Sequence, residues 1–279
     1  MCAGFHFKEH AGNYPGAMDR QAKFTMMWDF VDTGFHNGEF NMEYDIELAR
    51  KLQEKKGCPT LRLYRWQPYT ISLGFNQNHT DIDLEACARH GFGIVRRPTG
   101  GRAILHAEEL TYCIVTFSEG RNISEMYKWI GEALVAGLQT FHPGIMMERA
   151  QSDFPTLYRQ PSALSCFSST ARYEIQYLGK KLVGSAQRRY PSPLGPGNDV
   201  VLQHGSILIG PEHRRLSDVV LQKGSTAAEV RKSLEERTTE LESVLQHSVD
   251  ASEVAAAVKR GFERRWDISF HVKECERTV

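Results

Sequence analysis

The strongest constraint on the fold is the density of short, turn-bounded strand segments in the middle of the chain, with helical periodicity before, between and after them. Residues 61–66 alternate in polarity and 69–75 follow across Pro68, so the two read as adjacent strands. Residues 93–97 and 102–106 flank a Pro-Thr-Gly-Gly turn, and 110–116 form a further strand. Tyr173, Ile175 and Tyr177 alternate with Glu174 and Gln176, and 181–187 continue that strand after Gly179. A last strand, 200–209, is interrupted by the polar run from Gln203 to Ser206. Apolar residues recur at helical spacing in three places: Met42, Ile46, Ala49 and Leu52; a short stretch over 81–90 closed by Gly91; and Met126, Ile130, Leu134 and Leu138 behind a capping pair, Asn122 and Glu125. Two more helices are predicted over 226–245 and 252–266, opened by Thr226 with Glu229 and by Asp250 with Glu253. This order predicts an α+β fold with a mixed β-sheet and surrounding helices. Residues 1–23 read as a flexible leader, and 24–279 as a single domain with its core at about 57–250; 143–165 is a long polar loop and 191–198 a Pro- and Gly-rich one.

Charge narrows the function. The 34 basic and 34 acidic residues balance, so the excess that a nucleic-acid partner requires is absent and no such partner is expected. No apolar run is long enough for a membrane span. The six cysteines, Cys2, Cys58, Cys87, Cys113, Cys166 and Cys275, show neither a C-x-x-C pair nor histidines at zinc-ligand spacing. They are expected to be thiols of a cytoplasmic protein, with Cys113 buried in its apolar run and no metal bound.

Four segments have the composition of a reaction site. In the run from Arg96 to His106, Gly100 and Gly101 let backbone N–H groups approach a ligand oxygen, and Arg96 and Arg97 supply fixed charge. A hairpin turn with solvated arginines accounts for the same residues. In the run from Gly179 to Gln187, Lys181 precedes the small residues Gly184, Ser185 and Ala186, which keep a groove open for its ammonium; a surface lysine at a strand end is the plainer reading. Cys166 lies beyond a polar loop and before a strand, where a thiol can be partly exposed and reactive, although a single cysteine is more often inert. His204 breaks an apolar strand and reads either as a base or as a histidine bonded to backbone.

In this order the segments resemble the biotin/lipoate protein ligase and lipoyltransferase superfamily over about 40–261. Where its ligases carry a third glycine, this chain has Arg102, and the string Arg-Arg-Pro-Thr-Gly-Gly-Arg-Ala-x-Leu-His is similar to that of the LipM-type octanoyltransferases. So are Cys166 with Phe167, Tyr173 with Glu174, and the run from Gly179 to Gln187. The run 192–197 is longer than the family pattern.

The resemblance implies a protein acyltransferase in which Cys166 is the nucleophile and Lys181 lowers its pKa. It implies an acyl-binding site built on Arg96, Arg97, Gly100, Gly101, Arg102, His106, Gly184, Ser185, Ala186 and His204. The implied reaction moves an octanoyl group from octanoyl-acyl carrier protein, through a cysteine thioester, to the lysine of a lipoyl domain such as glycine-cleavage H protein or an E2 subunit. It needs neither ATP nor a metal, and a monomer is expected. The alternatives are an ATP-dependent lipoate–protein ligase, an amidotransferase working between lipoyl domains, and an inactive protein of the same fold.

Overall fold

The computed structural model describes residues 27–148, 173–192, 194–221 and 226–273. The predicted leader and Cys166 lie outside the described residues. The main sheet is mixed and contains β1 (Trp28–His36), β2 (Thr60–Trp66), β6 (Glu109–Phe117), β7 (Met146–Met147), β8 (Ile175–Tyr177), β9 (Lys180–Tyr190), β10 (Val200–Leu208) and β11 (Phe270–Val272). Its order is β11-β1-β2-β6-β10-β9-β8-β7; β1 runs parallel to both its neighbours and the other pairs are antiparallel. A second sheet, ordered β4-β3-β5, holds β3 (Thr70–Leu73), β4 (Gly93–Arg96) and β5 (Ile104–His106). The helices are α1 (Gly38–Gln53), α2 (Leu84–His90), α3 (Ile123–Leu138), α4 (Ala227–Arg237), α5 (Leu241–Leu245) and α6 (Ala251–Trp266). The α+β expectation with a mixed sheet holds. No helix among the described residues is long and apolar enough to cross a membrane.

Alternation along the central strands separates the two faces of the main sheet. On one face Leu61, Leu63, Leu110, Ile114, Val201 and Ile207 pack with Ile130, Leu134, Val254, Val258 and Phe262 of α3 and α6. These two helices approach closely where Gly137 meets Gly261: a Cβ on Gly261 would stand 2.5 Å from the Gly137 nitrogen. Trp28, Trp129 and Trp266 close the edge of this layer, the last two stacked at 3.8 Å. The other face is covered by α1, which lies over β10, β6 and β2.

Several local expectations are corrected. Residues 61–66 and 69–75 are not paired strands: β2 and β3 belong to different sheets, and the chain changes sheet at the cis Gln67–Pro68 bond. The strands either side of Pro-Thr-Gly-Gly make no hairpin, because β4 and β5 flank β3 on opposite sides, parallel and antiparallel to it. The connection between them is a crossover loop. Residues 181–187 do not prolong the preceding strand; Leu178 and Gly179, both with positive φ (48° and 76°), turn β8 back into antiparallel β9. Strand β10 is unbroken, since Gln203 to Ser206 keep full pairing with both β6 and β9. The helix predicted over 226–245 divides, leaving Thr238 to Glu240 between α4 and α5. In α1, Ile46 is exposed and Asn41 and Asp45 are buried in its stead. Strands β1 and β11 have no counterpart in the sequence reading. Cys113 is free and buried as expected, Cys87 is also free and buried, and Cys58, against the expectation of a thiol, is disulfide-bonded.

Candidate active site

The face of the main sheet under α1 carries a group of charged and polar residues beside an apolar cluster. Arg62, Tyr64 and Trp66 of β2, Thr111 of β6, and His204 and Ser206 of β10 alternate with the core residues of the same strands, and all are buried. A cavity opens among them. Its floor runs from Lys181, Gly184 and Ala186 on β9, across His204 and Ser206 on β10 and Thr111 on β6, to Tyr64 and Trp66 on β2. Arg97, Ile104 and His106 close it from the smaller sheet, and Met42 of α1 from above.

Burying this many polar groups requires partners for them. Arg62 is fully buried and donates to Asp45 (2.7 Å), to Asn41 Oδ1 (2.7 Å) and to Thr33 Oγ1 (2.9 Å). The Tyr64 hydroxyl donates to the second Asp45 oxygen, 2.9 Å away, and burial raises its pKa. Burial works to raise the pKa of Asp45 too, but Arg62 and His204 together hold it below the ordinary carboxylate value. Asp45 is therefore an anion, and its second oxygen also accepts from His204 Nδ1 at 3.0 Å.

This contact fixes the state of His204. Burial lowers its pKa, so the ring is neutral, and with its proton on Nδ1 its Nε2 can only accept. The Thr99 hydroxyl, 2.7 Å away, supplies that proton. Arg62, Asp45, His204 and Thr99 thus form one chain of hydrogen bonds, charge-assisted at Asp45, that ties the Pro-Thr-Gly-Gly loop to the sheet and to α1.

The arginines before the loop hold backbone. Arg97 donates to Ser72 O (2.8 Å), Gly100 O (2.9 Å) and Arg102 O (2.7 Å), and so curls the loop around its guanidinium. Arg96 donates to the carbonyls of Gly74 and Gln77 at 2.8 and 2.7 Å. Gly74 allows the loop to lie against β3, for a Cβ there would stand 2.0 Å from Gly101 O. The reading of solvated arginines is thereby replaced for buried Arg97, whereas Arg96 is exposed.

Lys181 is 3 % exposed and its Nζ lies 2.5 Å from Glu174 Oε1. Ser185 borders the cavity while its hydroxyl pairs with Tyr112 OH at 2.7 Å; burial pushes the Tyr112 pKa up to about 12. His106 stacks on Trp66 at 3.9 Å, and its Nδ1 donates to Glu109 at 2.8 Å. Of the residues predicted for the site, Arg97, His106, Lys181, Gly184, Ser185, Ala186 and His204 line the cavity, and Arg96, Gly100, Gly101 and Arg102 form the loop that Arg97 holds. Cys166 lies outside the described residues.

Sequence reading missed Asp45, Arg62, Tyr64, Thr99 and Glu174. One signal was available: Arg62 and Tyr64 interrupt an otherwise apolar strand at period two, as His204 and Ser206 do in β10.

Comparison with known proteins agrees with this architecture. Residues 37–263 match the lipoyl protein ligase A/B catalytic domain. Octanoyltransferase LipM of Kyrpidia tusciae is 36 % identical over 242 residues, covering 84 % of this chain and 85 % of the relative. Its namesake in Moorella thermoacetica is 37 % identical over 250 residues (87 % and 88 %), and that of Bacillus subtilis 32 % over 244 (85 % of each). Among solved structures, a putative lipoate protein ligase from T. acidophilum with bound lipoic acid superposes with a TM-score of 0.69 at 21 % identity, over 90 % of this chain and 91 % of that one. Lipoate-protein ligase A bound with ATP gives 0.69 at 22 % identity, over 91 % and 90 %; both likenesses concern the fold. The motifs of the loop and of β9, the matching catalytic-domain model and the relatives over most of their length lead to one assignment: the chain belongs to the lipoyl protein ligase A/B catalytic-domain family, as an acyltransferase of the LipM octanoyltransferase type.

Proposed function

We propose that this enzyme transfers an octanoyl group from the phosphopantetheine thioester of acyl carrier protein to the lysine amine of a lipoyl domain, by way of a thioester on Cys166. The observation that carries the proposal is the cavity itself. It brings a buried, ion-paired lysine, Lys181, together with a path along the sheet whose members are held in place by their own hydrogen bonds.

In the first step the Cys166 thiolate attacks the donor carbonyl, the new C–S bond forms, and the pantetheine thiolate leaves with the proton that Cys166 gave up. One thioester replaces another, so the exchange is close to isoenergetic and requires no ATP and no metal. A free cysteine with a pKa of about 8.5 is only a few per cent thiolate at neutral pH. Lys181 as an ammonium favours the thiolate, and Glu174 holds that ammonium in one position. The N–H groups of the Gly100–Gly101 loop, which Arg97 and Thr99 immobilise, serve the oxyanion of the tetrahedral intermediate. In the second step the neutral acceptor amine attacks the acyl-enzyme, the C–N bond forms as the C–S bond breaks, and the proton lost by the amine passes to the departing Cys166 sulfur, which regenerates the thiol. Conversion of a thioester to an amide is downhill and makes this step effectively irreversible.

The proposal is tested by incubating the enzyme with octanoyl-acyl carrier protein and apo H protein, without ATP, and measuring the mass of H protein. Octanoylation by the wild type and a loss of about a hundredfold or more in Lys181→Ala is the expected result. Octanoylation only on addition of ATP and free octanoate makes the enzyme a ligase and ends the proposal.

A further inference from the structure

We propose that Met42 is the length gauge of the acyl cavity, an inference that rests on the acyl-transfer reading for the identity of the ligand. The cavity crosses the sheet from β9 to β2 by way of β10 and β6. Those three strand intervals, at about 4.8 Å each, span roughly 14 Å. An extended octanoyl chain with carbon–carbon bonds of about 1.5 Å is roughly 9 Å long. With its carbonyl beside Lys181 on β9, its methyl end therefore falls at about β6, two strand intervals away. Helix α1 lies over that strand, and Met42 is the α1 residue that lines the cavity.

The other walls at that end are fixed. Tyr64 is tied through its hydroxyl to Asp45, and Trp66 is tied through Nε1 to Thr111 at 2.7 Å and stacked on His106. Moving either ring breaks a buried hydrogen bond. Met42 is 3 % exposed and contributes only an unbranched thioether, which changes shape by rotation about its own bonds. Its volume is thus the quantity that substitution can alter without disturbing the polar chain beneath.

The test measures dissociation constants of hexanoate, octanoate, decanoate and dodecanoate by calorimetry for the wild type, Met42→Val and Met42→Phe, with thermal unfolding to establish that each variant is folded. Met42→Val is expected to improve decanoate relative to octanoate by about tenfold, and Met42→Phe to weaken octanoate relative to hexanoate by about tenfold, the discrimination typical of a methylene in an apolar pocket. The two variants act in opposite directions, so either one that folds decides the matter. An unchanged length profile in a folded variant, or no binding of any acid by the wild type, overturns the gauge. Binding that follows Met42, in an enzyme that transfers nothing from acyl carrier protein, leaves the gauge standing and removes the transferase reading.

Discussion

The two faces of the main sheet are made by the same strands and differ in chemistry. On β2, Leu61 and Leu63 enter the apolar layer with α3 and α6, while Arg62, Tyr64 and Trp66, one residue out of phase, enter the polar layer under α1. On β10, Val201 and Ile207 are separated from His204 and Ser206 in the same way. The face under α3 and α6 is mostly apolar, with a small buried polar group of Tyr112, Gln203 and Ser185. The face under α1 mixes an apolar cluster that includes Leu52, Val115 and Leu202 with the paired groups Arg62, Asp45 and His204, and this pairing fixes side chains around a cavity. Stability and site preorganisation are therefore separable by substitution, although neighbouring positions on one strand supply both.

The sharpest way to break this comparison is to remove one charge from the polar face. Asp45→Asn leaves Arg62 and His204 without their anion and is expected to lower unfolding free energy by about 3–5 kcal/mol, measured by urea denaturation. Leu63→Ala on the opposite face should cost about 2–5 kcal/mol by opening a hole in the core, yet leave the transfer rate of the folded fraction unchanged. Equal losses of rate in the two variants would show that the faces are not separable.

Thr99→Val removes the proton that His204 Nε2 accepts, a buried group whose loss of a partner costs about 1–3 kcal/mol. Its main effect should be a higher KM for the donor, and Thr99→Ser should restore it. Acid should act on the same chain. Burial lowers the folded-state pKa of His204, and lowers that of His213 to about 4, whereas both titrate near 6.5 when unfolded. Between those values the unfolded chain binds protons that the native one does not, so the stability these two histidines contribute is fully present above about pH 6.5 and is lost as pH falls below it. A plot of Tm against pH checks this, and His213→Asn should reduce the slope between about pH 6.5 and 4. The smallest effect is expected at Ile46, on the exposed side of α1, where alanine should shift stability by no more than about 0.5 kcal/mol.

The element types and the motif-bearing residues were legible in the sequence, because period and capping act locally. Thr226 and Glu229 form the expected capping box, as do Asn122 and Glu125. What was not legible is long-range. Nothing near Asp45 in sequence reveals that it pairs with Arg62 and His204, 17 and 159 positions away. The crossover at Pro-Thr-Gly-Gly looked like a hairpin because a two-glycine turn satisfies local geometry in either arrangement, and only the placement of β3 between β4 and β5 decides it. Likewise spacing alone places Ile46 on the buried face, and nothing local marks Asp45, whose burial is stabilised by partners from other elements.

The most direct test of the proposed chemistry is the intact mass of the enzyme after brief exposure to octanoyl-acyl carrier protein without ATP or an acceptor, beside Cys166→Ala. The account predicts one octanoyl adduct on the wild type, removed by hydroxylamine and absent from Cys166→Ala. An adduct that survives in Cys166→Ala, or a wild type that transfers octanoyl to H protein while showing no adduct under any quench, would contradict it.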